Sequence, residues 1–152
     1  MDRREVLGML GATAAGLVTA TGTAAFGQEA RQAAGQGGHE GMGKDSAKLC
    51  SDSANECEAG FHHCHQQVVA GKREYALAEH LCVDTATMCY CCAALCARSS
   101  PLMGICCQAC AACCDACIAE CEKLNDPELK AVIEACRQAA KSCRQMAQMM
   151  AR

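Results

Sequence analysis

Residues 105–121 read ICCQACAACCDACIAEC, and the spacing of their cysteines indicates how this part of the chain folds. Its cysteines recur at intervals of three, four and seven residues, centred on the line through Met103, Cys110 and Cys117. Side chains at these intervals share one face of an α-helix. The stretch contains neither Pro nor Gly, the residues that interrupt helices. It therefore predicts a helix with a broad face of sulfur atoms.

The same pattern extends to three further segments. Cysteines are seven residues apart in the first segment (Cys50, Cys57 and Cys64), the second (Cys82, Cys89 and Cys96, with Cys92 on the same face) and the fourth (Cys136 and Cys143, followed by Met150). In a helical bundle such a face points at the central axis, so we expect these thiols to form the core. Cys91 lies beside this face with Leu81, Met88 and Leu95, and is either structural or a flanking ligand.

Three short turn signals divide the chain after residue 45 into four segments. They are Ala70-Gly71-Lys72, Ser99-Ser100-Pro101 and Asn125-Asp126-Pro127, and the segments cover about 46–70, 73–98, 102–124 and 128–151. Helices of ~25 residues are rods of ~37 Å. Rods of matched length with short connections favour an all-α fold, an antiparallel up-down-up-down four-helix bundle with a Cys-lined core over residues 46–152. A helical solenoid is a minor alternative.

The N-terminal region has the features of an export signal over residues 1–27. Arg3 and Arg4 precede a weakly apolar stretch that ends in small residues near Ala25, which is typical of the twin-arginine signal. We therefore expect an exported protein, periplasmic or otherwise extracytoplasmic, with no membrane span in its mature form. Residues 28–45 are rich in Gly and polar side chains and are predicted to be a flexible leader that carries His39 and Met42.

The composition narrows the classes of function. The chain has 152 residues, 17 of them Cys, and a formal net charge of −3. This excess of acidic over basic residues gives no electrostatic basis for binding nucleic acid. No single cysteine is set apart as a nucleophile, so we predict no enzymatic activity. The function therefore depends on what so many thiols do together.

Disulfides and an iron–sulfur cluster are two candidate uses of these thiols. Export favours disulfides, but side chains one helical turn apart stand ~5–6 Å apart at Cβ, whereas a disulfide needs ~3.8 Å. The run Cys107, Cys110, Cys113 and Cys117 matches a ferredoxin spacing, although that pattern ends in Pro and here Ile118 follows. An exported disulfide-bonded redox or structural bundle and an iron–sulfur electron-transfer protein are therefore the alternatives.

Charge distinguishes zinc from copper as the cargo of a thiolate core. Each zinc site of four thiolates carries a charge of −2, so several sites would bury a large charge with no inward series of Lys or Arg. Cu(I) neutralises thiolate one to one when each ion takes two thiolates and each thiolate bridges two ions. If each metal–sulfur bond is ~2.3 Å long, the two sulfur atoms on either side of a linearly coordinated ion are ~4.6 Å apart. Side chains one helical turn apart can reach this separation. Such one-turn pairs are Cys92/Cys96, Cys106/Cys110, Cys110/Cys114, Cys113/Cys117 and Cys117/Cys121.

Multiple Cu(I) ions are thus predicted, with the inward cysteines as ligands. These are Cys50, Cys57, Cys64, Cys82, Cys89, Cys92, Cys96, Cys106, Cys107, Cys110, Cys113, Cys114, Cys117, Cys121, Cys136 and Cys143. Alternating helix directions collect soft thioethers at one end of the bundle, where we expect the metal to enter. The residues at this end are His39, Met42, Met103, Met146 and Met150. Toward the opposite end fall four histidines predicted to be solvated, His62, His63, His65 and His80.

The Cys-lined inner faces, the export signal and the run Cys113-Cys114-Asp115-Ala116-Cys117-Ile118-Ala119-Glu120-Cys121 resemble the bacterial copper storage proteins over residues 39–152. The resemblance implies a folded apo bundle, a homo-oligomer and often a tetramer in exported members, that fills its core with Cu(I) and admits it at an end with Met and His. It also implies copper storage or detoxification rather than catalysis, with copper-requiring enzymes or copper chaperones as partners. This chain carries more Cys than expected of exported members, including Cys91 and the adjacent pair Cys106 and Cys107.

Overall fold

The structure, a computed structural model, describes the backbone of residues 38–151 and the side chains of residues 41–151. This part of the chain forms four α-helices and two short 3-10 turns, at Arg73–Tyr75 and Pro127–Leu129, and contains no strand. The helices are α1 (Gly38–Val69), α2 (Ala76–Ala97), α3 (Met103–Leu124) and α4 (Lys130–Met150). The prediction of an all-α four-helix bundle is confirmed.

The first helix begins earlier than the sequence predicts. It starts at Gly38 rather than near residue 46, so the last part of the predicted leader is helical. The helix continues toward its N-terminus because its inner face still has a partner there: Gly43 is buried against α2, where an added Cβ would lie 3.2 Å from the carbonyl oxygen of Cys96. The predicted export signal at 1–27 and the rest of the leader, 28–37, lie outside the described residues.

The three interhelical turns occur at the predicted signals. Gly71 has a φ of +93°, a conformation that glycine adopts without steric cost. Asn125 ends α3 in the left-handed region, and the carboxylate of Asp126 then accepts a hydrogen bond of 2.9 Å from the backbone N–H of Glu128. Such a cap satisfies one of the free N–H groups at the start of the next helical turn. Each turn is short, so consecutive helices are antiparallel neighbours.

The four helices pack as a square in which each contacts two neighbours. Helix α1 packs on α2 and α4, and α3 packs on the same two helices from the opposite side. The buried positions between them hold mainly Cys and Ala, with larger apolar side chains toward the ends of the bundle: Tyr75, Leu129, Val132, Met103 and Met146. The interior is therefore lined by small side chains and sulfur rather than by Leu and Ile.

Two stretches, Arg73–Ala97 and Met103–Leu124, are long and apolar enough to cross a membrane by length and composition. Their apolar character comes mainly from Cys and Ala. Within the bundle, 44% and 39% of the two most apolar windows are buried against the other helices. The core helix of a bundle can be as long and as apolar as a membrane span.

Candidate metal centre

Fourteen of the 17 cysteines are buried, and all 17 lie in the described part of the chain as free thiols. The buried ones are Cys50, Cys57, Cys64, Cys82, Cys89, Cys92, Cys96, Cys107, Cys110, Cys114, Cys117, Cys121, Cys136 and Cys143. Cys106 and Cys113, also predicted as inward ligands, are only half-buried at the edge of the bundle. Cys91, predicted to lie beside the main face, is exposed.

Eight of the buried thiols form a group toward the end where α1 and α3 begin, here called the upper cluster. Four of them, from all four helices, lie within 4.8 Å of one another: Cys50, Cys92, Cys110 and Cys143. Two further sets of three thiols lie equally close together: Cys89, Cys110 and Cys114, and Cys92, Cys96 and Cys107. The Sγ–Sγ distances include 3.6 Å for Cys50 and Cys143, and 3.6 Å for Cys92 and Cys107. The whole cluster comprises Cys50, Cys89, Cys92, Cys96, Cys107, Cys110, Cys114 and Cys143.

Five more thiols form the lower cluster, toward the opposite end. Two sets of three lie within 4.8 Å and share Cys117: one adds Cys57 and Cys136, the other Cys82 and Cys121. The thiols of Cys57 and Cys136 are 3.4 Å apart, and those of Cys82 and Cys117 are 3.8 Å apart. These are contacts between separate sulfur atoms, well beyond the ~2.05 Å of a disulfide bond.

Ser53 lies between the two clusters and was not singled out by the sequence. Its hydroxyl donates to the Cys136 thiol at 3.5 Å and accepts from the Cys89 thiol at 3.7 Å. Its side chain is fully buried. The signal was present in the sequence, because Ser46 and Ser53 are seven residues apart on the face that carries Cys50 and Cys57.

The one-turn pairs predicted from the sequence divide into two kinds. Cys92/Cys96 and Cys117/Cys121 are in contact, at 4.0 and 3.9 Å, and Cys110/Cys114 belong to one set. The pairs that include Cys106 or Cys113 are not brought together in any of these sets. The ferredoxin-like run does not converge either, because Cys107 and Cys110 lie in the upper cluster, Cys117 in the lower one and Cys113 at the edge.

Hydrogen bonds among the thiols drive their pKa values apart. Hydrogen bonds from Cys110 and then Cys114 lower the pKa of Cys89 to about 4, because they stabilise its thiolate. The pKa of Cys110 is raised, first by its hydrogen bond to Cys114 and then by those to Cys143, Cys50 and Cys89. The pKa of Cys57 is raised by hydrogen bonds to Cys117 and Cys136. Contacts among the thiols therefore lower the pKa of some, such as Cys89, and raise that of others, such as Cys110.

The charged side chains lie outside this core. Ion pairs join Arg137 to Glu122 on the bundle surface, and Arg144 to Asp115. Among the residues whose side chains are described, no Lys or Arg is buried, and the buried polar residues are Ser46, Ser53, Thr85 and Ser100. The core thus holds no cation of its own that could balance an excess of negative charge, and it favours a cargo that neutralises the thiolates.

The predicted methionines come together at the end of the bundle next to the upper cluster. Met103 and Met146 are buried, Met42 is half-buried and Met150 is 41% exposed. A Cβ atom added at Gly104 would lie 3.0 Å from Cβ of Met150, which places the start of α3 against the end of α4. Met150 also lines a surface cavity of about 220 Å³. His39 lies near the start of α1.

The opposite end of the bundle carries a polar group centred on Asp126. Its Oδ2 atom lies 2.7 Å from Nε2 of His63 and accepts a hydrogen bond of 2.9 Å from the hydroxyl of Tyr75. His63 is therefore a partly buried structural partner rather than a solvated residue, which corrects the prediction for this histidine. The exposed His65 pairs with Glu79, and His62 with Gln66.

Comparison with known proteins agrees with the core chemistry. The family model described as copper storage protein matches residues 43–148, which include every cysteine and all or most of each of the four helices. No curated protein matches the chain significantly. The matched family is one of storage rather than catalysis. Because the match covers more than half of the chain and coincides with the thiol-lined bundle, the protein belongs to the copper storage protein family.

Proposed function

We propose that this protein stores copper as multiple Cu(I) ions bound by the thiolates of its core. The observation that carries the proposal is that 13 thiols fall into sets within 4.8 Å, and that the sets overlap within each of the two clusters. A single structural ion would need only one such set. Overlapping sets suit ions that share bridging ligands, because each sulfur can serve two neighbours.

The choice of Cu(I) over Zn²⁺ rests on the charge of the core. Isolated tetrathiolate zinc sites would bury two negative charges each, and the interior offers no buried Lys or Arg among its described side chains. Cu(I) bridged by thiolates leaves the interior neutral. Thiolate is also a soft ligand that selects Cu(I). We infer that the filled core is a neutral copper–sulfur array.

We propose that copper enters at the end that carries Met42, Met103 and Met146. Thioethers bind Cu(I) without losing a proton, so they can pass it on to the thiols below. Replacing all three by Leu keeps side-chain volume nearly constant. The expected result is slower loading with unchanged capacity, followed by the absorbance of the copper–thiolate bond. Loading at the wild-type rate would overturn this route.

The storage proposal is tested by anaerobic titration. Reduced protein, titrated with Cu(I) against a competing chelator, should bind many equivalents, in proportion to its buried thiols. Free thiols and metal are counted on the same native sample. Saturation after a single equivalent, or a native sample with few free thiols and no copper, would overturn storage and favour a disulfide-bonded bundle. Bound iron with visible colour would instead favour an iron–sulfur protein.

Localisation and assembly complete the proposal. Arg3 and Arg4 support export by a twin-arginine route, which carries folded proteins. Export after folding would allow the thiols to be buried before they meet oxidant. Replacing both arginines by Lys should retain the protein in the cytoplasm, as measured by cell fractionation. We also propose a homo-oligomer, a tetramer by family resemblance, which light scattering on the native protein tests.

The stored copper either supplies an enzyme or chaperone or is held for detoxification. The copper sensitivity of cells that lack the protein tests which of these applies.

A further inference from the structure

One set of thiols in the upper cluster differs from every other close set in the described core. It has four members instead of three, and each of the four helices supplies one of them. Its members, here called the four-thiol set, are Cys50, Cys92, Cys110 and Cys143. All four side chains are fully buried, so no position in the set faces solvent.

The sulfur–sulfur distances in this set fit a single tetrahedral ion. Four sulfur atoms that surround a metal at ~2.3 Å are ~3.8 Å from one another. Sγ of Cys143 lies 3.6 Å from Sγ of Cys50 and 3.7 Å from Sγ of Cys92. The other pairs lie within 4.8 Å, so they need to approach by no more than about 1 Å. A linear two-thiolate ion would instead need ~4.6 Å, wider than both of these distances.

The donor atoms and their enclosure indicate which metal this set can hold. Tetrahedral sets of four thiolates are typical of zinc and of iron–sulfur sites. An iron–sulfur cluster places several iron and sulfide atoms between its cysteines, and thiols 3.6 Å apart leave no room for them. A structural zinc site is closed, with four protein ligands and no place for water, as in this set.

Charge limits the upper cluster to one such ion. Zn²⁺ with four thiolates carries a charge of −2. Neighbouring thiols can share this charge by donating hydrogen bonds to the ligands, because Cys107 lies 3.6 Å from Cys92 and Cys89 lies 3.6 Å from Cys110. The two remaining sets of the cluster each reuse Cys92 or Cys110 and have only three thiols. A second zinc would therefore lack a full set of ligands and add to the buried charge.

We propose that the four-thiol set binds a single Zn²⁺ in the protein that has not yet taken up copper, and that this ion ties the four helices together. On binding, four Zn–S bonds form and the four thiol protons leave to water. When copper arrives, Cu–S bonds form as the Zn–S bonds break, and Zn²⁺ leaves to water. No electron is transferred in either step. The displacement rests on the proposed storage function, whereas the zinc site itself does not.

The test measures zinc binding by the reduced, full-length protein in its native assembly, without oxygen. Competition with a chromogenic chelator should give one Zn²⁺ per chain, and Co²⁺ used as a probe should show the absorption bands of a tetrahedral thiolate site. The four ligands meet only in the folded state, so the melting temperature of the apo protein should rise with the concentration of Zn²⁺.

Two pairs of matched substitutions locate the ion. Cys143→Ala removes a ligand, whereas Cys136→Ala removes an equally buried thiol of the lower cluster seven residues earlier on α4. Cys50→Ala and Cys57→Ala make the same comparison on α1. Loss of a ligand should weaken zinc binding by more than ~100-fold, beyond the ~10–100-fold that loss of an outer partner costs. The two lower-cluster variants should keep the wild-type affinity and cobalt spectrum.

The outcomes separate the zinc site from copper storage. If the wild type binds no Zn²⁺ or several per chain, or if both members of a pair weaken binding alike, the zinc site is overturned, and Cu(I) titration of the same preparation still decides storage. If the wild type binds one Zn²⁺ but no more than one Cu(I), storage is overturned and the zinc site stands. If Zn²⁺ stays bound while copper fills the core, displacement is overturned. One Zn²⁺ per chain, lost only in Cys143→Ala and Cys50→Ala and released by Cu(I), supports the whole proposal.

Discussion

The hydroxyl of Ser53 donates a hydrogen bond to the thiol of Cys136 at 3.5 Å. It is a buried side-chain oxygen that lies between the two thiol clusters of the described core. Ser53 also accepts from Cys89 of the upper cluster. Ser53, on α1, therefore connects the two clusters through one thiol on α2 and one on α4. An oxygen at this position binds Cu(I) far less well than sulfur.

Changing Ser53 should alter both capacity and apo stability. Ser53→Cys adds a thiol between the clusters and should raise the Cu(I) capacity in the anaerobic titration. Ser53→Ala removes the partner of two buried thiols and should lower the free energy of unfolding by about 1 kcal/mol. Denaturant unfolding of the apo protein measures this loss. Unchanged capacity in Ser53→Cys would show that this position lies outside the copper array.

Cys110, like Cys92, belongs to two of the three close thiol sets in the upper cluster. It belongs to the set with Cys50, Cys92 and Cys143, and to the set with Cys89 and Cys114. Cys110→Ala should reduce capacity by roughly one ion while the rest of the core still fills, since each thiolate neutralises one Cu(I). Cys113→Ala, at the edge of the bundle, is the control expected to change capacity less. Complete loss of binding would contradict a graded, multi-ion core.

Copper affinity should rise with pH. The pKa of Cys110 is raised by its hydrogen bonds, to Cys114 first, so at neutral pH this thiol must release a proton when copper binds. Each proton released strengthens apparent binding by ~tenfold per pH unit. Cys89, with a pKa lowered to about 4 by hydrogen bonds from Cys110 and Cys114, should release none above about pH 5. Chelator competition at several pH values measures the slope, and a flat profile would contradict it.

Asp126 should stabilise the apo bundle through its charge and its cap. Burial alone would raise its pKa, but hydrogen bonds from the Glu128 backbone, His63 and Tyr75 outweigh burial and lower the pKa below its usual 3.8. A carboxyl whose pKa is lowered in the folded state stabilises it above the unfolded pKa, and this contribution is lost as pH falls through the folded value. The stabilisation should therefore be present above about pH 4 and disappear in stronger acid.

Substitution separates the two roles of Asp126. Asp126→Ala should cost about 1–2 kcal/mol at pH 7, because the cap is lost and Tyr75 loses its acceptor. Asp126→Asn retains a capping oxygen and should cost less, while removing the acid dependence of stability. Urea unfolding at pH 7 and in acid measures both. Equal stability of the wild type and Asp126→Ala at pH 7 would contradict this assignment.

Gly60 should be intolerant of any side chain. A Cβ there would lie 2.7 Å from Cγ2 of Val132 and 3.2 Å from Sγ of Cys82, and the β-branched Val132 has little freedom to move. Overpacking should cost about 1–3 kcal/mol and outweigh the ~1 kcal/mol gain in helix propensity. Gly41→Ala is the control in the same helix, since nothing lies within 4 Å of its Cβ. A stabilised Gly60→Ala variant would contradict this packing.

The fold was predictable because the cysteines recur at the intervals of an α-helix. The four rods, their turns and the gathering of Met103 and Met146 at one end all follow from spacing and antiparallel order. The start of α1 did not, because a Gly-rich composition hides the packing of Gly43 against the backbone of Cys96, which lies far along the chain. Helix α3 carries cysteines over so wide an arc that periodicity alone could not tell Cys106 and Cys113 from the fully buried positions.

The small side chains of the core have a mechanical consequence. Thiols such as those of Cys57 and Cys136, 3.4 Å apart in the apo bundle, are closer than the ~4.6 Å that two sulfur atoms span around a linear ion. A linear ion bound by such a pair must therefore push the two sulfur atoms apart by about 1 Å, through side-chain rotation or separation of the helices. We therefore expect the bundle to widen as copper accumulates, so that its cross-section reports how much copper the protein holds.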